Sequence, residues 1–222
     1  MRSYLAGGVV FFLGVQSALA GSFDLPADCD GVATIVYEDC VIVHAAGCSA
    51  SPGRKVFFQI QDGALSSVVT RWDGVLAEEV LDAFGREIVR FSMDYEGAVA
   101  QLQASRPGDL MEWRFQRYAP ALAEDGVLGE QTFERLPDRI LALETGEERV
   151  RVYRVEASIA AAGERTLAER YYSDDLGLEL GREVVVDRAG FPQRSVDRPV
   201  SIYRPGEPGY LENEALTCGA TT

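Results

Sequence analysis

The sequence predicts an all-β, mainly antiparallel protein: a strongly curved meander, half-barrel or barrel of about 10–12 strands with few helices. Three observations carry that expectation. Apolar residues recur at every second position along most of the chain, the alternating runs are short and closely spaced, and the breaks between them hold Asp-Gly and other Gly-containing turn pairs. A sheet that wide does not stay flat and open, so it curls or closes on itself. At 222 residues and 47% hydrophobic, the chain is long enough to fill one large core,.

The first segment is not part of the fold. Arg2 supplies a positive start, residues 5–15 are uncharged and apolar, and Ala18 and Ala20 are small residues before Gly21. That is the layout of a secretory signal peptide cleaved after Ala20, leaving 21–222 as a single periplasmic β domain. The apolar run is shorter than the ~20 residues a membrane helix needs, so no membrane span is expected once the leader is removed. Ser22 stands where a lipid-attachment signal would place cysteine, which predicts a soluble, unanchored product.

Four cysteines follow: Cys29, Cys40, Cys48 and Cys218. In an oxidising compartment an even number reads as disulfides, and the absence of Cys-x-x-Cys argues against a zinc or redox pair. The connectivity favoured is Cys40–Cys48 with Cys29–Cys218, a local loop plus a tie between the chain ends. A two-residue turn at Glu38-Asp39 would instead set Cys29 opposite Cys48, but Glu-Asp is poorly suited to the positive φ of tight hairpin turns.

The strand pattern then runs in sequence. Residues 55–61 put Val56, Phe58 and Ile60 on one face and Phe57, Gln59 and Gln61 on the other; Asp62-Gly63 turns the chain into 64–72, and Asp73-Gly74 turns it again into 75–82,. Residues 86–93 follow, and Glu96-Gly97 reads as a turn before a strand at 98–104. Across 110–118, Met111, Trp113 and Phe115 alternate with polar residues, while Met111, Phe115, Tyr118 and Leu122 would share a helical face. Strand is preferred because β-favouring aromatics dominate and Pro120 cuts a helix short. Residues 121–134 read as loop. Strands are expected at 139–143, 149–159, 166–173, 178–186 and 196–202, and no segment reads as an amphipathic helix.

Composition narrows the function classes. Lys+Arg of 21 against Asp+Glu of 35 gives a formal charge of −14, so the surface repels nucleic acid and no nucleic-acid partner is expected,. His44 is the single histidine and lies in an apolar run, where a structural role is expected; no Gly-x-Ser-x-Gly elbow accompanies it,. The acidic doublets at Glu78-Glu79, Glu124-Asp125, Glu147-Glu148 and Asp174-Asp175 are the only carboxylate candidates for a hydrolase, which ranks last. No phosphate loop, dinucleotide fingerprint or metal-ligand spacing is present, so no cofactor or metal is expected.

What remains is the aromatic inventory. A curved sheet can leave such residues lining a groove for an apolar, lipid-like ligand, and Phe58, Ile60, Met111, Trp113 and Phe115 are the expected lining. The alternative is an envelope protein-interaction module with no small ligand.

The run Tyr171-Tyr172-Ser173-Asp174-Asp175-Leu176-Gly177-Leu178 resembles a strand–turn–strand of exported, uncharacterised bacterial β proteins and, more loosely, the LolA-like unclosed-barrel group of lipoprotein carriers. The stretch 205–219, from Pro205-Gly206 to Cys218-Gly219, is likewise similar to the tail of a periplasmic family. The resemblance implies an exported, unclosed β barrel.

Overall fold

The computed structural model describes residues 23–50, 52–120, 126–188 and 190–213. The expected leader at 1–20 and Cys218 therefore lie outside the described residues. The elements are β1 Cys29–Tyr37, β2 Ile42–Cys48, β3 Arg54–Gln61, β4 Ala64–Trp72, β5 Leu76–Asp82, β6 Glu87–Ser92, α1 Tyr95–Ala104, β7 Leu110–Tyr118, β8 Val127–Leu143, β9 Gly146–Ile159, β10 Glu164–Ser173, β11 Leu178–Arg188, β12 Phe191–Asp197 and β13 Pro199–Tyr203.

All thirteen strands join one antiparallel sheet, in which each strand from β1 to β12 lies beside the next. β13 then pairs with β1 at the far edge. Only Arg198 separates β12 from β13, and two residues of chain reach about 7 Å at most, so the two edges of the sheet must meet there,. The result is a nearly closed barrel. Across the seam the Tyr37 hydroxyl donates to Leu180 O at 2.8 Å and the Glu38 N–H donates to Arg198 O at 3.1 Å.

The turns expected at Asp62-Gly63 and Asp73-Gly74 form with both residues at positive φ, as a mirror-image hairpin turn requires,. Gly74 has a second duty: a Cβ there would stand 2.5 Å from Gly177 O and 2.6 Å from Leu178 Cα, so the β4–β5 turn can press directly onto β11. Glu179 N–H donates to Gly74 O across that contact at 3.0 Å.

The barrel interior has two parts. In one, Ile35, Val43, Phe57, Val69, Val152, Leu178 and Ile202 meet from strands distant in the sheet. In the other, Tyr95, Ala98 and Leu102 of α1 pack on Leu76, Met111, Phe133, Tyr153 and Tyr172. The tip of the β8–β9 hairpin closes over β13, where Glu144 N–H donates to Val200 O at 2.8 Å and Thr145 Oγ1 accepts from Ile202 N–H at 3.1 Å.

Several expectations are corrected. Residues 98–104 are helix, not strand: Asp94 Oδ1 accepts the Gly97 N–H at 3.0 Å as an N-cap, and Tyr95, Ala98 and Leu102 form a buried face at helical spacing,. Residues 127–134 are strand, not loop. The inward positions of β8 include Gly129 and Gln131, so the alternation is concealed and pairing along the whole of β7 decides the conformation. Pro137 falls in the register shift between Leu136 and Arg139, where no ladder N–H is required,. The single strand expected at 196–202 is instead two strands on opposite edges. Residues 110–118 are strand, as the aromatic alternation indicates.

The favoured disulfide pairing is also overturned, because the bond is Cys29–Cys48. The left-handed residue of this hairpin is Cys40 (φ 65°) rather than Glu38 or Asp39, and the wider turn has Tyr37 N–H donating to Val41 O at 2.9 Å. One extra residue, Val32, shifts the β1–β2 register between Gly31 and Ala33 and brings Cys29 opposite Cys48,. Cys40 is itself in a disulfide.

Candidate functional site

Inside the barrel, between β5, β6 and β7 on one side and β8, β9 and β10 on the other, the interior is not filled. A cavity of about 170 Å³ remains. Its apolar wall comes from Leu76, Phe91, Met93, Phe115, Val155 and Ile159, and its polar wall from Arg117, Gln131, Glu164 and Arg170. Alternation along β9 and β10 sends every second side chain to this wall, which is why Val155, Ala157 and Ile159 stand beside Glu164, Thr166 and Ala168,. Gly129 opens the space further. It sits opposite Phe115, and a Cβ there would lie 2.3 Å from Phe115 Cζ, so the ring lies flat across β8.

Five side chains were expected to share a groove, and the structure separates them. Phe115 lines the cavity. Met111 and Trp113 belong to the cluster beneath α1, with Trp113 edge-on to Phe133 at 5.1 Å. Phe58 and Ile60 pack in two smaller clusters that both include Phe23, on the face of β3 opposite the interior residue Phe57. The face of β3 that carries Phe57 also carries Gln59 and Gln61, so the more uniformly apolar face, with Val56, Phe58 and Ile60, is the one that packs away from the Phe57 interior. Phe91 and Met93 fall in the strand expected over 86–93, where nothing in the sequence marks them as cavity wall; the pairing of β6 with β7 brings Phe91 near Phe115, at 5.9 Å.

Behind Arg170 on the cavity wall, the chain buries ions. Glu179, 4% exposed, lies 2.9 Å from Arg71 Nη1 and 3.4 Å from Arg170 Nη1. Burial alone would raise the Glu179 carboxyl, but Arg71, Arg170 and Arg182 outweigh it and hold the group below its ordinary range,. Arg170 is lowered by burial, with Arg182 and Arg71 adding to that shift and Glu179 opposing it. Beyond this layer Arg182 Nε donates to Asp197 Oδ2 at 2.6 Å, and Tyr37 is raised by burial. These partners are remote in sequence, and no local signal marks them.

The remaining chemical candidates have structural partners. His44 is 1% exposed; its Nδ1 accepts from the Thr34 hydroxyl at 3.0 Å and its Nε2–H donates to Asn213 Oδ1 at 3.1 Å. Asn213 Nδ2–H donates in turn to Phe23 O, so the imidazole pins both ends of the described chain to β2. Of the acidic doublets, Glu78 pairs with Arg54, Glu148 accepts from Ser173 Oγ and Arg204, and Asp174 pairs with Arg151. Glu124 and Asp125 lie outside the described residues. Among the described residues no group of three His, Cys, Asp or Glu is placed to hold a metal ion, and no helix is long and apolar enough to cross a membrane.

No family model and no curated protein sequence matches the chain. Among solved structures, the hypothetical lipoprotein YmcC from Escherichia coli K12 is similar to it with a TM-score of 0.49 and 8% identity, over 82% of this chain and 91% of that one.

Proposed function

We propose that the protein is exported to the periplasm and binds the apolar part of a small ligand inside its barrel. The observation that carries this reading is the open space itself: a recess of about 170 Å³ with an apolar wall is left among Phe91, Met93, Phe115, Val155 and Ile159,. A cavity of about 150 Å³ is large enough for a benzene ring, so this one accepts a ring of that size or a short alkyl segment. Each methylene moved from water into such a wall contributes about 0.8 kcal/mol. The test is native mass spectrometry of the purified protein together with calorimetric titration by 1-octanol. Binding that is lost when Ala157→Leu fills the space supports the reading. A ligand-free species that takes up no octanol refutes it.

The protein-interaction alternative has one observation in its favour. β12 pairs only with β11, and residues 191–196 are exposed, which leaves a strand edge free among the described residues,. An extended peptide could add there. Loss of a partner on substituting Ser195→Pro, with cavity binding absent, would select it.

A further inference from the structure

The ionic groups around the cavity do not balance. Arg170 lines the cavity, and its carboxylate partner Glu179 is shared with Arg71, which sits closer. Arg182 has its own partner in Asp197. Toward the other end, Glu164 lies between Arg117 at 2.8 Å and Arg188 at 3.0 Å. Each carboxylate facing the cavity or its floor thus serves two guanidiniums, in a protein whose formal charge is −14. Both cavity-lining arginines also carry a buried Nε–H with no hydrogen-bond partner among the described residues. Arg170 is held over the Phe133 ring at 5.6 Å and spends one Nη1–H on Val75 O at 3.1 Å, which fixes the guanidinium without neutralising it.

Resting on the apolar-binding reading above, we propose that the cavity takes a monoanionic amphiphile, a carboxylate with a short hydrocarbon tail. The acid group pairs with Arg170, and the tail lies against Phe91, Met93, Phe115 and Ile159. An unmatched cation at a partly desolvated wall is costly, and an incoming carboxylate removes that cost while a neutral head group does not. A planar, always-charged guanidinium suits a carboxylate in two-point contact.

Octanoate and 1-octanol share a tail and differ in the head, so calorimetric titration of the full-length protein with each at neutral pH and low salt decides the matter. Octanoate is expected to bind at least about tenfold more tightly, the lower end of what a hydrogen bond to a charged group provides. Arg170→Gln is expected to abolish the preference while retaining octanol binding, and Arg170→Lys to keep part of it. If Arg170→Gln does not fold, Arg170→Lys and the two ligands on the unaltered protein still decide. Equal affinity for the two ligands overturns the anion preference and leaves apolar binding standing. A preference that survives Arg170→Gln overturns the assignment to Arg170. Failure of both ligands to bind overturns the apolar reading as well.

Discussion

Replacing Glu179 with glutamine keeps the shape of the side chain and removes its charge. Glu179 and Arg71 are 4% and 8% exposed and 2.9 Å apart, and Arg170 is 3.4 Å away on the other oxygen. Arg71 is also held over the Phe57 ring at 4.7 Å, which fixes its guanidinium beside Glu179. Removing one partner of a buried pair leaves the other charge uncompensated and costs about 3–5 kcal/mol. For a chain of this size each kcal/mol is worth about 2–4 °C, so Glu179→Gln is expected to melt about 6–20 °C below the parent. Circular dichroism melts of the two proteins at pH 7 measure it. The pH dependence has a fixed sign. Because the folded carboxyl is held below its ordinary value of 4.5, its stabilisation is present above that value and is lost as the pH falls beneath it,. The parent is therefore expected to lose stability over that range more steeply than the variant. A variant within about 1 kcal/mol of the parent at pH 7 would refute the claim that this carboxylate holds the barrel floor together.

Three further outcomes are expected. The Cys29–Cys48 bond closes a sequence separation of 19, and Cys29→Ser with Cys48→Ser is expected to cost about 3 kcal/mol in urea midpoints; peptide mapping should also show that, with this bond made, the connectivity using all four cysteines joins Cys40 to Cys218,. Burial lowers His44 despite its hydrogen bond to Asn213, so the folded state favours the neutral ring; stability is full above about pH 6.5 and falls as the pH drops below it, a step that His44→Gln should flatten in unfolding curves taken from pH 7.5 to 5.5 (a range set by the reference value),. Gly129→Ala drives the Phe115 ring off β8 into the cavity it lines; octanol affinity should fall several-fold by calorimetry, at an overpacking cost of about 1–3 kcal/mol,.

Local rules determined a good deal of this protein. Period-two alternation marked most strands, and Asp62-Gly63 and Asp73-Gly74 specified their own turns, because positive φ is a property of the residues in the turn,. An acidic composition and one histidine bounded the chemistry without any coordinates. Tertiary structure decided what depends on partners far along the chain. Residues 98–104 carry both a period-two and a helical pattern, and the helix wins because Asp94 caps it and Tyr95, Ala98 and Leu102 find a barrel interior to fill. β8 carries Gly129 and Gln131 inward, so its strand character comes from β7 and β9 rather than from its own apolar pattern. Hairpin counting through Glu38-Asp39 reaches the Cys29–Cys48 pairing, but it forms through a wider turn that the extra residue at Val32 offsets, and neither of those is written in the cysteine spacing. The cavity and its surplus of guanidinium charge exist only where β5, β6, β7, β8, β9 and β10 face one another. A side chain's alternation gives its face of the sheet, but which face is inside is settled by how the sheet closes.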